Sequence, residues 1–263
     1  MKLKILYEDK NILAIDKPSG IMVHSDGKNK EKTIVDLILS YDKSIEKVGE
    51  QMLVEHKGEK IKIKRPGIVH RLDKETSGVL LVAKNQKTFE LLKDQFQNHT
   101  IKKIYKTFVY GNVSDPKASL ATGGRGVIDV PIGRSPKDIR MWTAGRGAKN
   151  GIHEAKTEYK VLRRFSDVDK DDKRREDNLF SYLEVYPRTG RTHQIRVHMR
   201  YINHPVVSDP LYRGSKEMAL GMKRLALHAS SITFRLSNGE MMTIESPLPT
   251  DFKKVIKANH LED

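Results

Sequence analysis

Ile68-Val69-His70-Arg71-Leu72-Asp73-Lys74-Glu75-Thr76-Ser77-Gly78-Val79-Leu80-Leu81-Val82 sets a dense polar segment between two apolar runs. The runs predict buried strands, because short apolar stretches bounded by turn formers suit strands covered on both faces. The break between them holds an arginine, an acid, two hydroxyls and a glycine. Burying such groups unpaired is costly, so the break is expected to be a working site. Asp73, with several potential partners nearby, is the candidate nucleophile or base.

Working outward, residues 3–7 and 11–16 predict two short strands. Asp16-Lys17-Pro18-Ser19-Gly20 then reads as a sharp turn, with Pro and Gly setting the backbone. Thr33 is placed to cap a helix over 34–41, whose apolar face is Ile34, Val35, Leu37, Ile38 and Tyr41. Residues 42–66 are lysine-rich and read as an exposed excursion returning near Gly67. Lys87 to Gln97 predicts an amphipathic helix carrying Phe89, Leu91, Leu92 and Phe96. Residues 101–110 alternate as a strand, with Lys106 an unexpected member of the Ile104, Phe108, Tyr110 face. Turn formers break 111–155 into loops and short strands. Paired strands are expected at 157–162 and 179–186, joined by a charged tip over 167–178. A helix over 192–202, strands at 226–235 and 241–245, and a short C-terminal helix complete the pattern. Runs of strands mixed with few helices predict an α+β fold: a single mixed, largely antiparallel curved sheet with flanking helices and loops. One domain over residues 1–263 is expected.

Composition narrows the function classes. Lys and Arg number 49 against 34 acids, a formal net charge of +15 over 263 residues, which points to a polyanionic partner such as nucleic acid. Cysteine is absent, so disulfides, thiolate metal sites and thiol catalysis are excluded. No apolar run approaches the roughly 20 residues of a membrane span, so no membrane partner is expected. Glu8, Asp9 and Lys10 interrupt the N-terminal segment where a signal peptide would be apolar. A cytoplasmic location is the expectation.

A second polar segment is Tyr186-Pro187-Arg188-Thr189-Gly190-Arg191-Thr192-His193-Gln194-Ile195-Arg196-Val197-His198-Met199. Ile195 and Met199 lie one helical step apart, as do Arg196 and Arg200. That spacing suits a helix with one packed face and one basic face. The functional reading is phosphate binding together with an arginine paired to a buried acid. His193 and His198 are five apart without the Glu of a zinc-protease helix, so no metal site is expected. A phosphate-cradling Gly-rich loop ending in Lys-Ser/Thr is also missing, and Gly123-Gly124-Arg125-Gly126 reads as a turn.

His70-Arg71-Leu72-Asp73 with Thr76-Ser77-Gly78 resembles the signature of the RluA-type pseudouridine synthases. Other blocks agree in order: Leu6-Tyr7-Glu8-Asp9 through Asp16-Lys17-Pro18-Ser19-Gly20 and Val23-His24; Lys103, Tyr105 and Gly111; Gly190 to His198; Ser208-Asp209-Pro210-Leu211-Tyr212; and His228-Ala229. The blocks span roughly residues 5–252. Many family members carry an additional S4-type RNA-binding domain; none is expected here, since the family opening starts near Met1.

The resemblance implies isomerisation of uridine within structured RNA: uracil is detached from C1′, turned, and rejoined through C5. There is no net redox change, so no cofactor is implied. Asp73 is implied as the essential carboxylate, either adding to the anomeric carbon or removing a sugar proton on a glycal route. Arg196 is implied as the cation pairing with that acid, Tyr105 as the ring stacking on the target uracil, and Arg71 as filling the space of the flipped nucleotide. His70, Leu72, Thr76 and Ile195 are implied around the substrate. Lys17, Arg188, Arg191, Arg134 and Lys223 are candidate contacts to the RNA backbone. The family often has an alanine where this chain has Thr107, which puts local packing in question. Large-subunit ribosomal RNA is the expected substrate, transfer RNA the alternative within the family, and a catalytically inactive RNA-binding protein the alternative of another class. A retaining glycosidase would need a second carboxylate about 5 Å from the first, for which Glu75 is the neighbour. A monomer without an obligate protein partner is expected.

Overall fold

A computed structural model describes residues 2–25, 27, 31–56, 59–114, 126–148, 150–167 and 178–261. In chain order the elements begin with β1 (Ile5–Glu8), β2 (Ile12–Lys17), α1 (Ile34–Tyr41), β3 (Gln51–His56), β4 (Glu59–Lys64), β5 (Ser77–Ala83) and α2 (Gln86–Gln97). They continue with β6 (Lys102–Tyr110), β7 (Gly126–Asp129), β8 (Ile132–Arg134), β9 (Trp142–Ala144), β10 (Asn150–His153), β11 (Lys156–Ser166) and β12 (Leu179–Pro187). Helix α3 (Gln194–Tyr201), β13 (Leu227–Arg235), β14 (Met241–Glu245) and α4 (Thr250–Ala258) close the chain. The expected charged tip at 167–178 and the Gly123–Arg125 turn lie mostly or wholly outside the described residues.

The elements form two compact units, residues 1–102 with 229–247, and residues 103–228 with 248–263. In the first, β1, β2 and β5 pair antiparallel, with Lys17 opposite Gly78 and Ile12 opposite Ala83. Every residue of β5 is buried. One side is packed with Ile12, Ala14, Val79, Leu81, Leu92 and Ile101. Thr33 caps α1 as its sequence predicts: its hydroxyl accepts from the Asp36 amide, and Asp36 accepts from the Thr33 amide at 2.7 Å. The Ile68-Val69 run, expected as a strand, contributes only a single bridge, Ile68 to Val82. The excursion at 42–66 is a 3-10 turn and the β3–β4 hairpin, and it is not wholly exposed. Ile45, Val48 and Ile63 are buried in it, and Gly67 donates back to the Val48 carbonyl at 2.9 Å.

In the second unit, β6, β12, β11 and β7 pair antiparallel in that order. Phe108, Val109, Leu183, Val185, Met199, Val206, Phe252 and Val255 are among its core residues. Lys106 lies opposite Glu184 and binds its carboxylate at 2.6 Å, which resolves the odd lysine on that strand face. Strands β10, β8 and β9 make a separate small antiparallel sheet. That sheet rests on Val197 of α3 and on Tyr212 through Ile132 and Ala144, with Ala155 in the same cluster.

Candidate active site

In the first unit, Asp73 stands half-buried at the head of a turn whose carbonyl accepts from the Thr76 amide at 3.1 Å. The Asp16–Gly20 turn straps this loop. Lys17 is fully buried, and its ammonium donates to the carbonyls of Pro18, Lys74 and Thr76 at 2.8, 3.0 and 2.8 Å. The Ser19 hydroxyl donates to Glu75 O, and the Gly20 amide to Lys74 O. Each of the loop's carbonyls at 74–76 therefore has a donor, which satisfies backbone that burial would otherwise penalise. Lys17 is among the expected RNA-backbone contacts; buried and bonded to the Lys74 and Thr76 carbonyls, it instead holds the turn that follows Asp73.

Gly78 shows why this stretch ends in glycine. Its φ is 116°, and a Cβ there would lie 2.1 Å from the Ala229 carbonyl oxygen. His70 stacks on Phe96 with ring centroids 4.7 Å apart, and its Nε2 accepts from the Leu81 amide at 2.9 Å. That bond fixes the Nδ1–H tautomer and ties the loop to β5. Leu72 is buried and Arg71 exposed. Thr76 is buried, and its hydroxyl oxygen has no hydrogen-bond partner among the described residues. Glu75 is half-buried, with the Ser19 hydroxyl 3.3 Å from its carboxylate.

In the second unit, Tyr105 sits half-buried on β6 opposite Val185, on the same strand face as Lys103 and Thr107. The Lys103 ammonium donates to Thr189 O at 3.0 Å, and burial pulls it down to about 8. Thr107 is fully buried, and its hydroxyl donates to Ala226 O at 2.7 Å, a bond an alanine could not make. The departure from the family pattern is thus a satisfied polar contact.

The Arg188–Gln194 turn is built by Gln194, whose Oε1 accepts from the Thr189 hydroxyl and the Arg191 amide. Its Nε2 donates to Lys156 O and to Thr157 Oγ1. Arg188 forms two bonds to Glu158 at 2.7 and 2.8 Å, and this carboxylate raises the guanidinium's pKa. Arg191 donates to Glu154 O. Ile195 is buried in the unit's core.

Helix α3 departs from the expected pattern of one packed and one basic face. Gln194 through Met199 are all buried, Arg196 included, and only Arg200 of the two arginines is exposed. The burial of Arg196 is compensated by Asp209, 0% exposed, which takes its Nε and Nη2 at 2.7 and 2.8 Å. Asp209 also accepts from the amides of Leu211 and Tyr212, so its lone pairs are well used. The guanidinium lies 4.9 Å from the centre of the Tyr212 ring. The Tyr212 hydroxyl in turn meets the Trp142 amide and His193 Nδ1, each at 2.8 Å. Asp209 is the residue that the sequence reading did not assign. Its signal was present: a helix arginine in an apolar setting needs an anion, and the Ser208–Tyr212 block supplies the acid.

Comparison with known proteins places the chain. The family model described as RNA pseudouridylate synthase matches residues 11–201. An uncharacterized RNA pseudouridine synthase of Bacillus subtilis, YlyB, is 36% identical over 98% of this chain and 73% of its own length. The ribosomal large subunit pseudouridine synthase D of Xanthomonas campestris is 33% identical over 97% of this chain and 69% of its own length. Among solved structures, human RNA pseudouridylate synthase domain containing 1 superposes with a TM-score of 0.69 at 21% identity, covering 99% of this chain and 87% of that one. That likeness carries the fold: a mixed, largely antiparallel curved sheet with flanking helices, as expected from the sequence. The chain therefore belongs to the RNA pseudouridylate synthase family and is an isomerase acting on structured RNA.

Proposed function

We propose that this enzyme converts specific uridines of large-subunit ribosomal RNA to pseudouridine, with Asp73 as the essential carboxylate. The observation that carries the assignment of Asp73 is the strapping of its loop by Lys17, Ser19 and Gly20, which holds one acid in a fixed, half-buried position. A reaction that detaches a base and rejoins it through another atom needs such pre-organisation, because the fragments must be held while they turn. Tyr105 is the ring that stacks on the target uracil. A phenol's ordinary pKa near 10 makes stacking the better use of it. Arg71, exposed beside Asp73, fills the space that a flipped nucleotide leaves. Arg196 is the cation that the family resemblance pairs with the acid. The ribosomal substrate rests on the similarity to the synthase D relative of Xanthomonas campestris.

Asp73→Asn is expected to abolish tritium release from 5-tritiated uridine RNA while RNA affinity stays close to the wild-type value. Turnover at the normal rate by this variant would remove Asp73 from the mechanism. Mapping pseudouridine by carbodiimide labelling, with and without the gene, names the substrate. Loss of a ribosomal site, restored by wild type and not by Asp73→Asn, is the expected result. Loss of a transfer-RNA site instead would replace the substrate and keep the chemistry.

A further inference from the structure

The small sheet of β8, β9 and β10 carries a feature that the isomerisation does not use. Arg134 and Trp142 are cross-strand partners on β8 and β9. The Arg134 guanidinium carbon sits 4.7 Å from the centre of the indole ring. Its Nη1 donates to the Ile139 carbonyl at 3.0 Å. Two constraints thus act on an exposed arginine: an indole ring beneath its guanidinium carbon and a carbonyl that accepts from its Nη1. Trp142 is itself anchored, packing against the cluster of Ile132, Ala144, Ala155, Val197 and Tyr212, with its amide bonded to the Tyr212 hydroxyl. The surroundings are basic. Over 132–148 the exposed Arg134, Lys137, Arg140 and Arg146 stand against a single acid in the sequence, Asp138, which Arg140 already engages through two of its nitrogens.

We infer that Arg134, backed by Trp142, is a flat platform on which an unpaired nucleobase of the RNA stacks, with Lys137, Arg140 and Arg146 providing charge for the adjoining phosphates. The inference rests on the reading of this chain as an RNA-modifying enzyme and adds a base-binding subsite to it. A guanidinium plane stacks on nucleobases as aromatic rings do, and RNA is recognised chiefly at unpaired bases. A mere phosphate contact would need neither the indole beneath the plane nor the carbonyl at its edge. Fixing the side chain beforehand removes much of the ordering cost that an exposed arginine would incur on binding. The charge surplus on this sheet and the turns that flank β9 matches a polyanion.

Arg134→Lys separates the possibilities, since lysine keeps the charge and loses the plane. The probe is total RNA, 5-tritiated in uridine, from a strain lacking the gene. Trp142 is the single tryptophan of the chain, so its emission reports this sheet alone. The expected result is a KM raised about tenfold in Arg134→Lys, the scale of one lost base stack, with the rate at saturating RNA retained. Trp142 emission of the unaltered enzyme should shift on RNA addition with the same midpoint as filter binding. A lysine variant with unchanged KM and Kd, or Trp142 emission unmoved at saturating RNA, would overturn the platform. Because Kd is read by filter binding, absence of tritium release in every variant would count against the isomerase reading while the Arg134→Lys comparison still decided the platform.

Discussion

At the scale of single residues, the charged groups with the most structural consequence are those withdrawn from solvent. Arg196 and Asp209 form a buried, bidentate pair, and Asp209 has further amide donors. Such a pair adds little over an apolar replacement of both, but removing one half takes a counter-charge from a buried group. Asp209→Asn is therefore expected to destabilise the protein by about 3–5 kcal/mol, measured as the shift of a urea unfolding midpoint. A loss within experimental error would show that Arg196 is compensated elsewhere. Lys17 teaches the same lesson, since three backbone carbonyls replace hydration at its buried ammonium. Neither placement follows from residue type alone. A lysine and an arginine in a basic protein read as surface charge until the partners that desolvate them are known.

At the scale of elements, local chemistry and long-range packing divide the outcome. The Thr33–Asp36 capping box and the Asn85 cap, which accepts from the Thr88 amide at 2.9 Å, start α1 and α2 where sequence places them. Helix α3 behaves differently. It begins at His193 in the left-handed region without a side-chain cap bond, and it is buried across most of its length. His198, on this helix, is fully buried between Thr157 Oγ1 at 2.8 Å and Val130 O at 2.9 Å. Burial lowers its pKa from the ordinary 6.5, so as pH falls the unfolded chain takes up the proton first. Stability contributed by neutral His198 is present above that value and is lost as pH drops through it toward the folded pKa. Unfolding measured from about pH 8 to pH 5 should show this loss, and His198→Gln, which can still donate to Val130 O, should flatten it. An unchanged slope in the variant would assign the acid sensitivity to other groups.

At the scale of the whole molecule, the net charge of +15 is the dominant long-range property. Binding to RNA is expected to weaken steeply with salt, because lysines and arginines that neutralise phosphates release counterions. Neutralising about six phosphates would cost roughly a thousandfold in affinity between about 50 and 200 mM salt. Filter binding across that range checks it, and a flat response would place the charge away from the RNA. The fold was legible to a large degree. The β2 and β5 strands, the α2 helix and the β11–β12 pair stand within a few residues of where apolar runs, alternation and helical spacing put them. Asp73 and its loop were legible because polar residues between buried strands are conspicuous. The 42–66 segment reads as an exposed excursion because its lysines mask Ile45, Val48 and Ile63, which the fold buries.

The sequence by itself determined what depends on neighbours along the chain: strand alternation, helix caps, glycine-marked turns, the sign of the charge and the ordered motifs that resemble a family. Only the tertiary structure decided what depends on partners far apart in the chain. It turned Lys17 inward onto carbonyls more than fifty residues away, gave Arg196 the carboxylate of Asp209, and set the Arg134 guanidinium over the Trp142 ring. The physical reason is that a charged side chain's place is set by the free energy of replacing its water. The groups that replace it are brought together by folding and not by local order.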